Sequence, residues 1–262
     1  MSLPNFAKVL EGEIKNFEIS KSKFEDILTW AERIKEIAST ELVLQLPVQQ
    51  EYFDLMHIQG NSFIASIILL MKCHVFFSFA IARVGLEAAI TMAIVESDYK
   101  NHLPIWQKYN YTKRNTSEFK EAQKKFTQVF RNTRKKHDFS AFMNEREYEV
   151  LFHTWDYLCT SGSHAGFLQT IFSVDYSDSE DAITLNSGIF DINMNDTNHI
   201  GKSMIYVIDT FFLCSKISAR ILNRHGVSLR KSVKEVEELF DEWVEFKMRK
   251  AKEFGIKPPE EQ

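Results

Sequence analysis

Ser62–Ala82, SFIASIILLMKCHVFFSFAIA, is the stretch whose reading decides the fold. It is long and apolar enough to cross a bilayer, yet Lys72 and His74 fall at its centre and Arg83 follows it. A lysine at the middle of a membrane span costs about 2.5–3.5 kcal/mol on insertion scales. A helix buried inside a large bundle avoids that cost, so the run predicts a soluble helical protein with no membrane partner. Working outward, helix is expected from Gln49 to about Glu96, broken or bent near Gly60–Asn61, with Pro104 as the stop signal beyond it.

The same helical spacing recurs along the chain. Residues 5–39 place Phe17, Phe24, Ile27, Leu28, Ala31, Ile34 and Ile37 at helical intervals, as one helix or two. A capping box at Asn115–Glu118 opens a helix to about Lys136, and another covers Glu145–Ser173. Gly201–His225 follows with Gly226 as its stop, and Ser232–Phe254 is the last. AITLN-SG-IFDINMN alternates around a turn, so a short β-hairpin insertion is expected near 182–195. The chain has 9 Gly, 5 Pro and 22 Phe in 262 residues, too few turn residues for a sandwich or barrel. The expected fold is therefore all-α: a single helical-bundle domain over 1–262, of about seven helices around a Phe-rich core. Its parts are an N-terminal helical arm at 5–48, a core bundle at 49–226 and a C-terminal helix at 232–256.

Charge is unevenly distributed. The chain as a whole carries −4, but residues 97–138 hold 11 Lys or Arg against 4 Asp or Glu, giving +7 there and −11 elsewhere. Lys120, Lys124, Thr127, Arg131 and Arg134 share one helical stripe, Lys135 adjoins it, and Tyr99, Trp106, Tyr109 and Tyr111 lie upstream. Basic side chains interleaved with aromatics suit phosphate neutralisation and base stacking, which makes RNA the expected partner of this segment. A solvated helix face, or pairing with the acidic residues of 173–198, accounts for the same stripe. Cys73, Cys159 and Cys214 sit in apolar patterns without a CxxC or a secretion signal, which fits reduced thiols and a cytoplasmic location.

Two polar features interrupt apolar helices. Arg83 and Glu87 share a helix face in ARVGLEAAI, and burying them costs several kcal/mol unless they pair. In Leu158–Gly166, LCTSGSHAG, the glycines Gly162 and Gly166 suit close helix approach, while His164 aligns with Thr160 and Tyr157. A cluster of Arg83, Glu87, Tyr157 and His164 is expected where the two helices cross. In it Glu87 would orient His164 as an acid or base and Arg83 would hold an anion, unless the cluster only fixes helix register.

Arg-x-x-Leu-Glu (Arg83, Leu86, Glu87) followed by Tyr157 and Ser161-x-x-His164 resembles helical prokaryotic proteins similar to the HEPN superfamily. The resemblance implies an RNA-directed protein of a defence or stress system, in many members a metal-independent ribonuclease with an Arg-x(4–6)-His motif. Three stretches match it: Arg131–His137, Arg220–His225 and Arg146–His153. Arg131 and His137 fit best, with polar Asn132 after the Arg and a basic setting. The competing expectation is a non-enzymatic helical scaffold, with a homodimer as one form of it, or a small-molecule-binding protein. No cofactor and no metal site are expected, since Glu-x-x-His, P-loop and Gly-rich dinucleotide motifs are missing, and Asp196 stands where a calcium loop needs glycine.

Overall fold

The computed structural model describes residues 6–38, 50–132, 139–163, 174–179, 182–187, 197–227 and 231–255. The protein is all-α in class, with helices α1 (Phe6–Lys23), α2 (Glu25–Ala38), α3 (Gln50–Met71), α4 (Val75–Ser97), α5 (Tyr99–Tyr111), α6 (Ser117–Asn132), α7 (Glu145–Ser163), α8 (Thr197–Arg224) and α9 (Val233–Glu253). Between α7 and α8, β1 (Val174–Ser179) pairs antiparallel with β2 (Ala182–Ser187). The strand AITLNS thus pairs with the segment before it. The expectation had placed its partner after Ser187-Gly188.

The apolar run does not form one helix. His74 N–H donates to the Leu69 carbonyl and Cys73 N–H to that of Leu70, both at 2.9 Å. Cys73 takes a left-handed φ of 67°. These bonds close α3 as a Schellman motif, satisfying carbonyls that a helix end otherwise orphans. The chain then turns back, and α4 runs antiparallel to α3. Ser66 bonds the Ser78 carbonyl and hydroxyl, Gly85 faces Phe63, and Tyr52 reaches Glu96. No break occurs at Gly60–Asn61: α3 is continuous from Gln50 to Met71, with Gly60 buried in it.

The reversal also changes the membrane question. Lys72 lies at the tip of a hairpin, so its charge is not at mid-span. It bonds Glu13 Oε2 at 2.9 Å while His74 Nε2 meets Oε1 at 3.0 Å, which ties α1 across the turn. Lys72 and His74 hold the Glu13 carboxyl below the usual carboxylate range. By length and composition α3 and α4 could each cross a membrane, but 72% of the apolar window of α4 is buried inside the molecule, against 39% for α3.

Helix α4 is central, packed by α3, α5, α7 and α8. Small residues permit this: a Cβ on Gly85 would stand 2.9 Å from the Phe63 ring and 3.1 Å from the Gln59 carbonyl. Phe63 stacks on Phe211 of α8 at 4.9 Å, and Gln59 is held between Ser215 and Ser218 of that helix. On the far side of α8, Trp243 and Phe246 of α9 pack with Trp30 of α2.

Caps set several boundaries. Thr116 Oγ1 accepts from Phe119 N–H, so the α6 cap lies one residue beyond the expected Asn115, which itself takes a φ of 69°. Pro104 lies inside α5, and the preceding helix ends earlier, at Asp98. Gly226 does close α8, with a φ of 72° and a second Schellman pair from Val227 to Leu222 and Gly226 to Asn223. Reciprocal capping boxes open α7 (Asn144 with Glu147) and α9 (Ser232 with Glu235).

Glu147 is also part of a four-charge network. Its carboxylate meets Lys216 Nζ at 2.9 Å and Arg220 Nη1 at 2.6 Å, and both cations reach Glu237, which joins α7, α8 and α9. Burial opposes its ionisation, but the Arg220 bond, the Asn144 N–H and Lys216 outweigh that and hold its carboxyl below the ordinary value. Glu147→Gln is expected to cost about 3–5 kcal/mol in urea unfolding at neutral pH, because buried Lys216 and half-buried Arg220 then share one carboxylate. A depressed folded value means that stability is complete above the unfolded carboxyl pKa, about 4.3, and falls as pH drops below it. The stability deficit of Glu147→Gln should therefore shrink as pH falls through this window.

Candidate functional site

Arg83 and Glu87 lie one turn apart on the face of α4 that α6 and α7 approach. Arg83 Nε donates to Glu87 Oε1 at 2.8 Å, and the indole N–H of Trp155, on α7, donates to the same oxygen at 3.3 Å. Both charged side chains remain partly open, 29% and 38% exposed. They line a cleft of about 560 Å³ with Tyr109, Gln123, Phe126, Thr127, Phe130, Arg131 and Trp155. The sequence had placed Arg83 and Arg131 in separate candidate sites. The fold brings both to one cleft.

Aromatic rings form its walls. Tyr109 stacks on Phe126 at 4.9 Å with the planes 4° apart and on Phe119 at 5.6 Å. Phe130 meets Trp155 at 5.6 Å. The α6 helix supplies Phe126 and Phe130 from one face and Arg131 from the edge, as its strongly amphipathic sequence dictates. A second hollow continues along α6 past Lys120, Gln123, Lys124, Gln128 and Asn132. Among the described residues, Lys120, Lys124 and Arg131 have no carboxylate partner, whereas Lys125 pairs with Glu121 at 2.8 Å and Lys108 with Glu118 at 3.3 Å.

Tyr157 is not in this cluster. Its ring packs on Phe79 and Tyr206 at 6.0 and 5.0 Å, because two residues along α7 rotate it away from α6. Trp155 occupies the position expected of Tyr157. His164, His137, Arg134 and Lys135 lie outside the described residues. Of the other two Arg…His matches, Arg220 is held in the Glu147 network and His225 Nε2 meets Glu96 at 2.7 Å, while Arg146 and His153 are exposed two turns apart on α7.

Sequence reasoning missed Trp155, Phe126, Phe130 and Gln123 as site residues. A usable signal existed, since a half-buried tryptophan N–H needs an acceptor and Glu87 was the acid already assigned to that crossing. It also missed Glu96, whose Oε2 accepts from Tyr52 and His225 and whose Oε1 accepts from Arg224. These bonds tie α3, α4 and the end of α8 together around a carboxylate that is only 5% exposed. Burial, then the nearby Glu96 charge, raises the Tyr52 phenol above its ordinary value. A further groove of about 600 Å³ between α1, α2 and α3 is walled by Phe17, Leu28, Ile64, Ile67 and Ile68. Its rim carries Lys21, Glu25, Glu32 and Lys35, with Lys35 Nζ bonded to Glu32 Oε2 at 3.2 Å. Among the described residues no three His, Cys, Asp or Glu side chains are grouped to hold a metal.

Comparison with family models, curated proteins and solved structures finds no match to this chain. The HEPN resemblance therefore rests on the residue pattern alone.

Trp155 offers a direct probe of the cleft, because Trp30, Trp106 and Trp243 are buried elsewhere. A ligand entering the cleft should quench tryptophan emission, and Trp155→Phe should remove most of that change.

Proposed function

We propose that the protein binds single-stranded RNA, with the α4–α6–α7 cleft taking a base and the open face of α6 tracking the phosphates. The observation that carries this is the meeting of Arg131, the Arg83–Glu87 pair and four aromatic rings in one cleft beside Lys120 and Lys124, which have no carboxylate partner among the described residues. Stacking on aromatic faces and neutralisation by basic side chains are the two contributions that single-strand binding uses. The HEPN-like form of the proposal adds metal-independent cleavage, with His137 or His164 moving the proton. A cytoplasmic, soluble setting is proposed with it, supported by the burial of α4.

Fluorescence anisotropy with short unstructured RNAs tests the binding. Affinity should fall steeply between about 50 and 200 mM salt. Lys124→Glu and Arg131→Glu should each weaken binding to all sequences, and Lys124→Glu should reduce the salt slope by about one. Cleavage that persists in chelator and disappears in His137→Ala or His164→Ala, with folding intact, would establish the enzymatic form. A wild type that binds no RNA would leave the scaffold or small-molecule alternative, in which the Arg83–Glu87 pair fixes helix register.

A further inference from the structure

The Arg83–Glu87 pair has a hydrogen-bonding asymmetry that bears on which base the cleft takes. Both bonds that hold Glu87 end on Oε1, from Arg83 Nε and from Trp155 Nε1. Among the described residues, Oε2 accepts no hydrogen bond from the protein. A carboxylate has about four acceptor positions, so the two on Oε2 remain open. Beside it, the Nη donors of Arg83 are likewise unused among the described residues. The cleft thus presents acceptor sites and donor sites side by side, next to aromatic rings.

Guanine is the one common base whose Watson–Crick edge has two adjacent donors, N1–H and the N2 amino group, followed by an acceptor, O6. Uracil places carbonyls on both sides of its single N–H, and cytosine and adenine each put a ring nitrogen acceptor beside their amino group. Against a fixed carboxylate those acceptors are repelled, and an unpaired polar group in a partly desolvated site is costly. Resting on the RNA-binding proposal above, we propose that the cleft selects guanine: Glu87 accepts from N1–H and N2–H, and Arg83 donates to O6. Arg131, in the same cleft, takes the phosphate, and the base stacks on the aromatic wall.

The test uses the full chain and an oligouridine, the same oligomer with two central guanosines, and the same oligomer with inosines in their place. The guanosine oligomer should bind about 10-fold or more tighter than oligouridine. The inosine oligomer should fall between them because it lacks the N2 amino group. Glu87→Gln, verified as folded by thermal unfolding, should bring guanosine-oligomer binding down to the oligouridine level. Should that variant fail to fold, the inosine series on wild type decides. Equal binding of all three RNAs overturns guanine selection and leaves RNA binding standing. GMP bound as tightly as the guanosine oligomer, read by Trp155 quenching, supports the base site and overturns RNA as its source. No binding of any RNA or of GMP overturns both proposals.

Discussion

The fold depends on the left-handed turn at Cys73. An apolar stretch running from Gln50 to Ser97 without a break would be a rod far longer than any face the other helices could cover. Folded at Lys72–His74, it becomes two antiparallel helices, and α4 can then be enclosed by α3, α5, α7 and α8. Cys73 adopts a backbone conformation that costs a non-glycine residue roughly 1–2 kcal/mol. The Schellman bonds and the paired charges of Glu13, Lys72 and His74 offset this cost.

Most helices were legible because an amphipathic stripe is a periodic signal. Ile27, Ile34 and Ile37, or Val236, Leu239 and Trp243, are buried as their spacing requires. The reversal was not legible for the same reason. An apolar residue on either side of a buried turn gives no change of period, and the sequence there has neither Gly nor Pro. Gly226, by contrast, announced its turn. Pro104 misled because it sits six residues into α5, where it removes the bond to the Lys100 carbonyl without ending a helix that restarts at Tyr99 and runs to Tyr111.

The candidate site was partly legible. The charged pair of Arg83 and Glu87 stood out against an apolar background, and its i, i+4 spacing alone predicts the bond that forms. What α7 contributes to that pair depends on helix rotation, which a wheel drawn on one helix does not fix. Trp155 and Tyr157 differ by two residues, about 200° around the axis, enough to place one in the cleft and the other against Tyr206. The convergence of Arg83 with Arg131 depends on how α6 packs beside α4 and α7, and no local pattern encodes that.

The bonds from Gln59 to Ser215 and Ser218 link helices whose sequences lie far apart, Ser218 following Gln59 by 159 positions. A ribosome adding about 5–20 residues per second needs roughly 8–30 seconds to cover that distance. Later in this interval the α3–α4 hairpin is complete while the apolar face that α8 covers is still exposed, since α8 does not yet exist. The most hydrophobic part of the chain is thus made early and shielded late. Synthesis, more than the finished molecule, is when this protein is most open to wrong associations.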